Sequence, residues 1–160
     1  MATPAGPDLL VEPLRPLLGD WEGTGQGLWA AEPPFRYRER LSLAQVPKRA
    51  LVRWSQVTRT EPQGELSHSE EGFLRVLPEG RLELVLAIPA GYVEIHTGTW
   101  EGGKLELGLR ALAATPSSKA LSAVHRQLWL EAGQLHHVVR IAVDSATPVP
   151  HVEAVLQRVS

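Results

Sequence analysis

Cysteine is absent from the 160 residues. That removes disulfides, zinc–thiolate sites, iron–sulfur clusters and covalent heme attachment through a CxxCH motif. No apolar run approaches the ~20 residues that cross a bilayer as a helix. Residues 1–7 carry neither the basic nor the apolar stretch of a secretory signal. Charge of one sign is gathered nowhere: 16 Lys and Arg are scattered against 18 Asp and Glu, for a formal net charge of -2. Such a surface gives no electrostatic reason to expect nucleic acid or an anionic membrane as partner. The expectation is a cytoplasmic protein with no nucleic-acid and no membrane partner. Hydrolase signatures are missing as well, since there is no GxSxG and no thiol nucleophile.

Turn signals and alternating strands are what the chain does contain. Its apolar fraction of 43% and charged fraction of 21% suit one ordinary globular domain. Residues 1–8 are expected as a disordered tail and 9–160 as the domain. Pro78-Glu79-Gly80, Pro89-Ala90-Gly91, Glu101-Gly102-Gly103 and Glu131-Ala132-Gly133 each supply the φ values of tight turns between β-like runs. Cutting there predicts ten strands, over residues 20–29, 35–45, 50–60, 66–77, 81–88, 91–101, 104–113, 122–131, 134–145 and 150–159. One-sided apolar stripes recur: Leu82, Leu84, Leu86 and Ile88; Leu105, Leu107, Leu109 and Ala111; Leu135, His137, Val139, Ile141 and Val143. Such stripes belong to antiparallel sheets with one wet face. A meander this long closes on itself or leaves two unpaired edges. The fold class expected is therefore all-β, a single closed ten-stranded antiparallel up-and-down barrel, with a two-sheet sandwich as the alternative. Only Asp8 to Leu18 looks helical, and Pro13 and Pro16 limit it to a short turn that plugs one barrel end.

Several strands also carry polar residues, among them Arg53, Ser55, His68, Glu70, Glu94 and His96. Inside a barrel such groups must pair with one another or face a wet or ligand-filled lumen. Gly19-Asp20-Trp21-Glu22-Gly23-Thr24-Gly25 puts Gly19, Trp21, Gly23 and Gly25 on one face. Bare backbone beside a large aromatic lets a flat ligand approach the main chain; alternatively, Trp21 plugs the barrel floor. Of the six histidines, His136 and His137 are adjacent on a strand and face opposite sides, and His125 alternates outward. His68 and His96 are candidates for the lumen. His151 follows Pro148-Val149-Pro150, which stiffens the entry to the last strand; it reads as a strand-start residue or a ligand.

Six motifs, in order along nearly the whole chain, resemble the nitrobindin family of heme-binding barrels. They are the Gly19-x-Trp21-x-Gly23-x-Gly25 opening, Pro34-Phe35-x-Tyr37, the strand His68-Ser69-Glu70-Glu71-Gly72-Phe73-Leu74-Arg75-Val76, the hairpin Glu83-Leu84-Val85-Leu86-Ala87-x-Pro89-x-Gly91, the segment Thr115-Pro116-Ser117-Ser118-Lys119, and Pro150-His151. Where the family reads Tyr-Pro-Thr-Ile, this chain has Trp29-Ala30-Ala31-Glu32: a threonine hydroxyl is absent and a carboxylate appears.

The resemblance implies a ten-stranded barrel holding one non-covalent b-type heme per chain. His151 would be the axial iron ligand, and hence the catalytic and metal residue, with Lys119 pairing a propionate and Gly19, Trp21, Gly23, Gly25 and His68 lining the cofactor. It implies isomerisation of peroxynitrite to nitrate at ferric iron and nitric oxide binding, so the expected partners are these small molecules; a homodimer is common for such barrels. Two other classes stand beside it. One is a heme-free lipid or fatty-acid-type carrier, which the altered 29–32 stretch keeps in play; the other is an interaction domain with a filled core.

Overall fold

The structure, a computed structural model, describes residues 6–28, 34–142 and 147–159. Ten strands form one closed antiparallel barrel, each paired with its sequence neighbour and the last with the first. They are β1 (Gly19–Gly27), β2 (Phe35–Gln45), β3 (Leu51–Thr60), β4 (Leu66–Val76), β5 (Arg81–Ile88), β6 (Tyr92–Glu101), β7 (Lys104–Ala114), β8 (Ala123–Glu131), β9 (Gln134–Ala142) and β10 (Val149–Arg158). Closure between β1 and β10 runs from Trp21 opposite Arg158 to Gly27 opposite Val152, so among the described residues every strand has a neighbour on both sides. Turn chemistry sets the hairpins: Gly102 and Gly103, between β6 and β7, take φ of 59° and 76°, the pair of positive values that a two-residue turn matched to strand twist requires.

One barrel end is plugged. Of the tail expected over 1–8, residues 1–5 lie outside the described residues, and Pro7 and Asp8 already belong to helix α1 (Pro7–Val11). A 3-10 helix over Glu12–Leu17 follows, tightened by the prolines that forbid a longer α-helix. Val11, Leu14 and Leu17 point into the barrel and are buried with Trp21, Leu41, Leu105, Leu107 and Leu156. Gly19, at φ 127°, makes the bend from plug to β1, a conformation that disfavours any side chain. The Trp21 indole Nε1 donates to the Leu17 carbonyl at 2.9 Å. Arg158 lies 4.3 Å over the indole ring and donates to the carbonyls of Pro16 and Leu18. The last strand thus clasps the plug.

One stripe departs from strict alternation. Leu105 and Leu107 face inward and Leu109 stands opposite buried His96, but the register slips between Ile95 and His96. Arg110 is the extra residue of a β-bulge, and beyond it Leu112 pairs with buried Glu94 while Ala111 pairs with exposed Ile95. A bulge inverts the phase of everything after it, so Ala111 belongs to the outer face.

Across the barrel interior runs a layer of polar side chains, all buried: Glu39, Glu70, Glu94, His96, Arg126 and His137. On one side of it lies the dry leucine-rich half beneath the plug. On the other lies an open cavity.

Candidate functional site

The cavity occupies about 510 Å³ at the unplugged end, inside the range of small-molecule and cofactor sites. Its walls are largely apolar, from Phe35, Ile88, Val124, Val139, Ile141 and Val152, with Tyr37 and Tyr92. Gln56, Thr58, Glu94 and Arg126 give its polar floor, and His68, Lys119 and His151 also line it.

His151 is placed by a register shift. On the β10–β9 ladder Pro150 stands opposite Arg140 and Val152 opposite Val139, so His151 is the extra residue of a bulge. Bulges re-aim side chains, and this one lets both His151 and Val152 line the cavity. The His151 carbonyl accepts from Leu28 N at 2.8 Å, which ties the bulge to the end of β1. Burial, with help from the neighbouring His68 and Arg126, pushes the His151 imidazole below its ordinary value, against an opposing backbone hydrogen bond. The neutral ring, the form that ligates metals, is therefore favoured at neutral pH. A second bulge, where Thr58 pairs with His68 and Arg59 with Leu66, brings both Ser67 and His68 to the same cavity.

Lys119 sits on the β7–β8 connection at the mouth. Ser118 Oγ donates to the carbonyls of Ala90 and Gly91 at 3.0 and 3.2 Å, and the Tyr92 hydroxyl donates to the Lys119 carbonyl at 2.6 Å. These bonds fasten the connection to the β5–β6 hairpin.

His68, Lys119 and His151 are thus brought together, whereas Gly19, Trp21, Gly23 and Gly25 are not part of the lining. Trp21 is buried under the plug, and the glycines serve the site indirectly. Gly25 pairs with Tyr37 and Gly27 with Phe35. A Cβ on Gly25 would lie 2.4 Å from the Tyr37 ring, and one on Gly27 2.1 Å from the Phe35 ring. The bare strand accommodates the two aromatic rings that wall the cavity, rather than the ligand itself. Gly25→Val is accordingly expected to cost ~1–3 kcal/mol by overpacking, read as a lowered urea midpoint, and to displace Tyr37. The positions Trp29, Ala30, Ala31 and Glu32, where the family pattern is broken, lie outside the described residues.

Arg126 and Glu39, the latter the cross-barrel partner of His137, are the buried groups that the sequence reading missed. Arg126 donates to Glu70 Oε1 at 2.8 Å and Glu94 Oε2 at 3.0 Å. Glu70 also accepts from Trp54 Nε1 at 3.0 Å and meets His68 Nε2 at 3.1 Å; Glu94 meets His96 Nε2 at 2.8 Å. His137 Nδ1 lies 2.6 Å from Glu39 Oε1. Gln56 Nε2 also approaches Nδ1, at 3.5 Å, but an Nδ1 proton given to Glu39 leaves nothing there to accept, so the carboxylate bond is the real one. Arg53 and Ser55 are on the outer face, where Ser55 donates to Glu71.

Burial alone would raise the Glu70 carboxyl, but Arg126 and His68 outweigh it and hold Glu70 well below the usual carboxylate range. Glu94 is lowered in the same way, burial being overcome by His96 and Arg126. A carboxylate depressed in the folded state contributes stability above its unfolded value of about 4.3, and that stability is lost as pH falls toward the folded value. The ligand-free barrel should therefore lose urea resistance progressively as pH drops from 5 to about 3, and Glu70→Gln should flatten that slope.

The residues present fit a heme. The cavity is large and apolar enough for a macrocycle, the His151 imidazole, favoured in its neutral form, lines it beside His68, and a lysine stands at its mouth. Among the described residues no three His, Cys, Asp or Glu side chains gather as a bare-ion site; one imidazole suits a metal whose other ligands come from its own macrocycle.

Known proteins share this architecture. The profile of the THAP4-like, heme-binding beta-barrel domain matches residues 10–158. Peroxynitrite isomerase 1 of Mycolicibacterium paratuberculosis is 37% identical over 162 residues, covering 99% of each chain. Peroxynitrite isomerase 2 of Mycobacterium marinum is 37% identical over 158 residues, 96% of each. The crystal structure of Rv2717c from M. tuberculosis superposes with a TM-score of 0.84 at 33% identity, covering 94% of this chain and 98% of that one. The S-type phycobiliprotein lyase CPES from Guillardia theta, at 13% identity and a TM-score of 0.62, covering 98% and 94%, shares the fold alone.

Proposed function

Since the chain belongs to the THAP4-like heme-binding β-barrel family, we propose that it holds one b-type heme through His151 and isomerises peroxynitrite to nitrate, with nitric oxide as a second ligand. The observation that carries this reading is His151 itself, turned by a bulge into a 510 Å³ cavity and favoured as the neutral base. When bound, heme supplies a Lewis-acidic iron at which the peroxynitrite O–O bond rearranges. The chain's own residues do the rest. His151 presents a ring nitrogen from a strand whose position is fixed by Leu28 and by the β9 ladder. Phe35, Val124, Val139, Ile141 and Val152 would shield the bound group from water, and Lys119 would offer a cation to its carboxylates.

The carrier alternative fits the floor poorly. A fatty-acid carboxylate buried in a barrel needs an available cation, and the Arg126 fork is already engaged by Glu70 and Glu94. A third carboxylate would be repelled.

The test is reconstitution with hemin followed by rapid mixing with peroxynitrite. A one-to-one complex whose Soret band survives gel filtration, with faster peroxynitrite decay and a higher nitrate yield than the heme-free protein gives, is the expected result. Decay no faster than that of the heme-free barrel would refute the isomerase reading; a Soret band lost on filtration would refute heme binding as well.

A further inference from the structure

The chain has two tyrosines, and both line the cavity. They stand in different situations. Tyr37 is only 2% exposed, its ring pressed against β1 so closely that even a methyl group on Gly25 would collide with it. Tyr92 is half-buried at the mouth, with its hydroxyl on the Lys119 carbonyl.

That bond has a particular place in the 115–122 connection. At one end Thr115 N and Ser118 Oγ are tied to the β5–β6 hairpin. At the other, Ser122 donates to the Ala142 carbonyl through both N and Oγ. Between them, over 119–121, the bond from Tyr92 is the one hydrogen bond among the described residues.

We propose that Tyr92 is a latch on the cavity mouth and a nitration site, and that nitration opens the latch. The inference rests on the proposed function, because that reading brings peroxynitrite to the cavity. In the overall step one phenol and one peroxynitrous acid give an ortho-nitrophenol and water. The O–O bond of the acid breaks and a C–N bond forms ortho to the hydroxyl; the displaced ring hydrogen leaves as a proton and joins the released hydroxide. No further oxidant is consumed. An ordinary tyrosine loses its proton near pH 10; an ortho nitro group withdraws charge and brings that loss into the neutral range. A phenolate facing a carbonyl oxygen has no proton to donate, and the two acceptors repel. The 119–121 stretch is then released, and the cavity wall it forms is loosened.

The scissile bond of the trypsin site after Lys119 carries the very carbonyl that Tyr92 holds, so limited proteolysis of the heme-free protein reads the latch directly. The protein is treated with a measured bolus of peroxynitrite, mapped by peptide mass spectrometry, and exposed to trypsin at pH 8 beside an untreated sample. The expected result is nitration of Tyr92 with Tyr37 unmodified, and cleavage at Lys119–Ala120 about fivefold faster or more, the equivalent of one ordinary hydrogen bond lost. Tyr92→Phe should show the same acceleration untreated and no further change on treatment. Nitration of Tyr37 in place of Tyr92, or a nitrated Tyr92 with cleavage at the untreated rate, would overturn the proposal. These readouts need no heme, so a failure of heme binding, seen separately as a missing Soret band, is distinguishable from a failure of the latch.

Discussion

His151→Gly is expected to weaken hemin binding by more than about a hundredfold, since removing even a partner of a metal ligand costs 10- to 100-fold and here the ligand itself is lost. The heme-free variant should keep its far-ultraviolet circular dichroism and nearly its full urea midpoint. His151 is the extra residue of a bulge at the cavity wall, and the apolar core beneath the plug does not include it. Added imidazole should restore the axial nitrogen and with it the Soret position, because the cavity left by the missing ring is shaped for that ring. Rescue by imidazole separates loss of ligation from collapse of the site. A His151→Gly protein that binds hemin like the wild type, with the same Soret maximum, would remove His151 from the iron.

The second large effect is on folding. Arg126→Leu should lower stability by ~3–5 kcal/mol, the usual consequence of breaking a buried ion pair and leaving charge uncompensated. Here two carboxylates, Glu70 and Glu94, lose their shared guanidinium at once, in a layer that already holds Glu39 Oε2, His96 Nδ1 and His137 Nε2 without a protein partner. The measurement is a urea denaturation at pH 7. Neutralising the orphaned pair in Arg126→Leu/Glu70→Gln/Glu94→Gln should recover much of the loss, since the penalty lies in the abandoned charges more than in the missing attraction. Equal midpoints for the single and triple variants would show that Arg126 acts through packing instead.

The barrel is legible in the sequence because its evidence is local. Turn residues such as Gly102-Gly103 and the period-2 stripe of Leu82, Leu84, Leu86 and Ile88 each report on a few neighbouring residues, and closure follows from the cost of open edges. What stays hidden depends on register. Nothing in the composition around Arg110 announces a bulge, so alternation alone assigns Ala111 to the wrong face. His137 sits among Leu135, Val139 and Ile141 like one more apolar position; its partner Glu39 is 98 residues away in the chain. Arg126 and Glu39 do leave a trace. Arg126 falls in phase with inward Val124 and Leu128, and Glu39 with inward Tyr37 and Leu41. A charged residue in the inward phase of a strand is the signal that finds such groups. For the glycine strand, the residues point to a flat partner, and register shows that the flat partners are the protein's own Phe35 and Tyr37.

The polar layer gives the molecule a floor of its own. On the plug side Leu14, Trp21 and Leu156 belong to one buried apolar cluster built from the chain's own side chains. In small metal-dependent folds the metal's binding energy is the folding energy, and an empty site means an unfolded chain. Hemin added to the heme-free barrel should instead leave its far-ultraviolet circular dichroism unchanged, the signature of a cofactor that enters a fold already made.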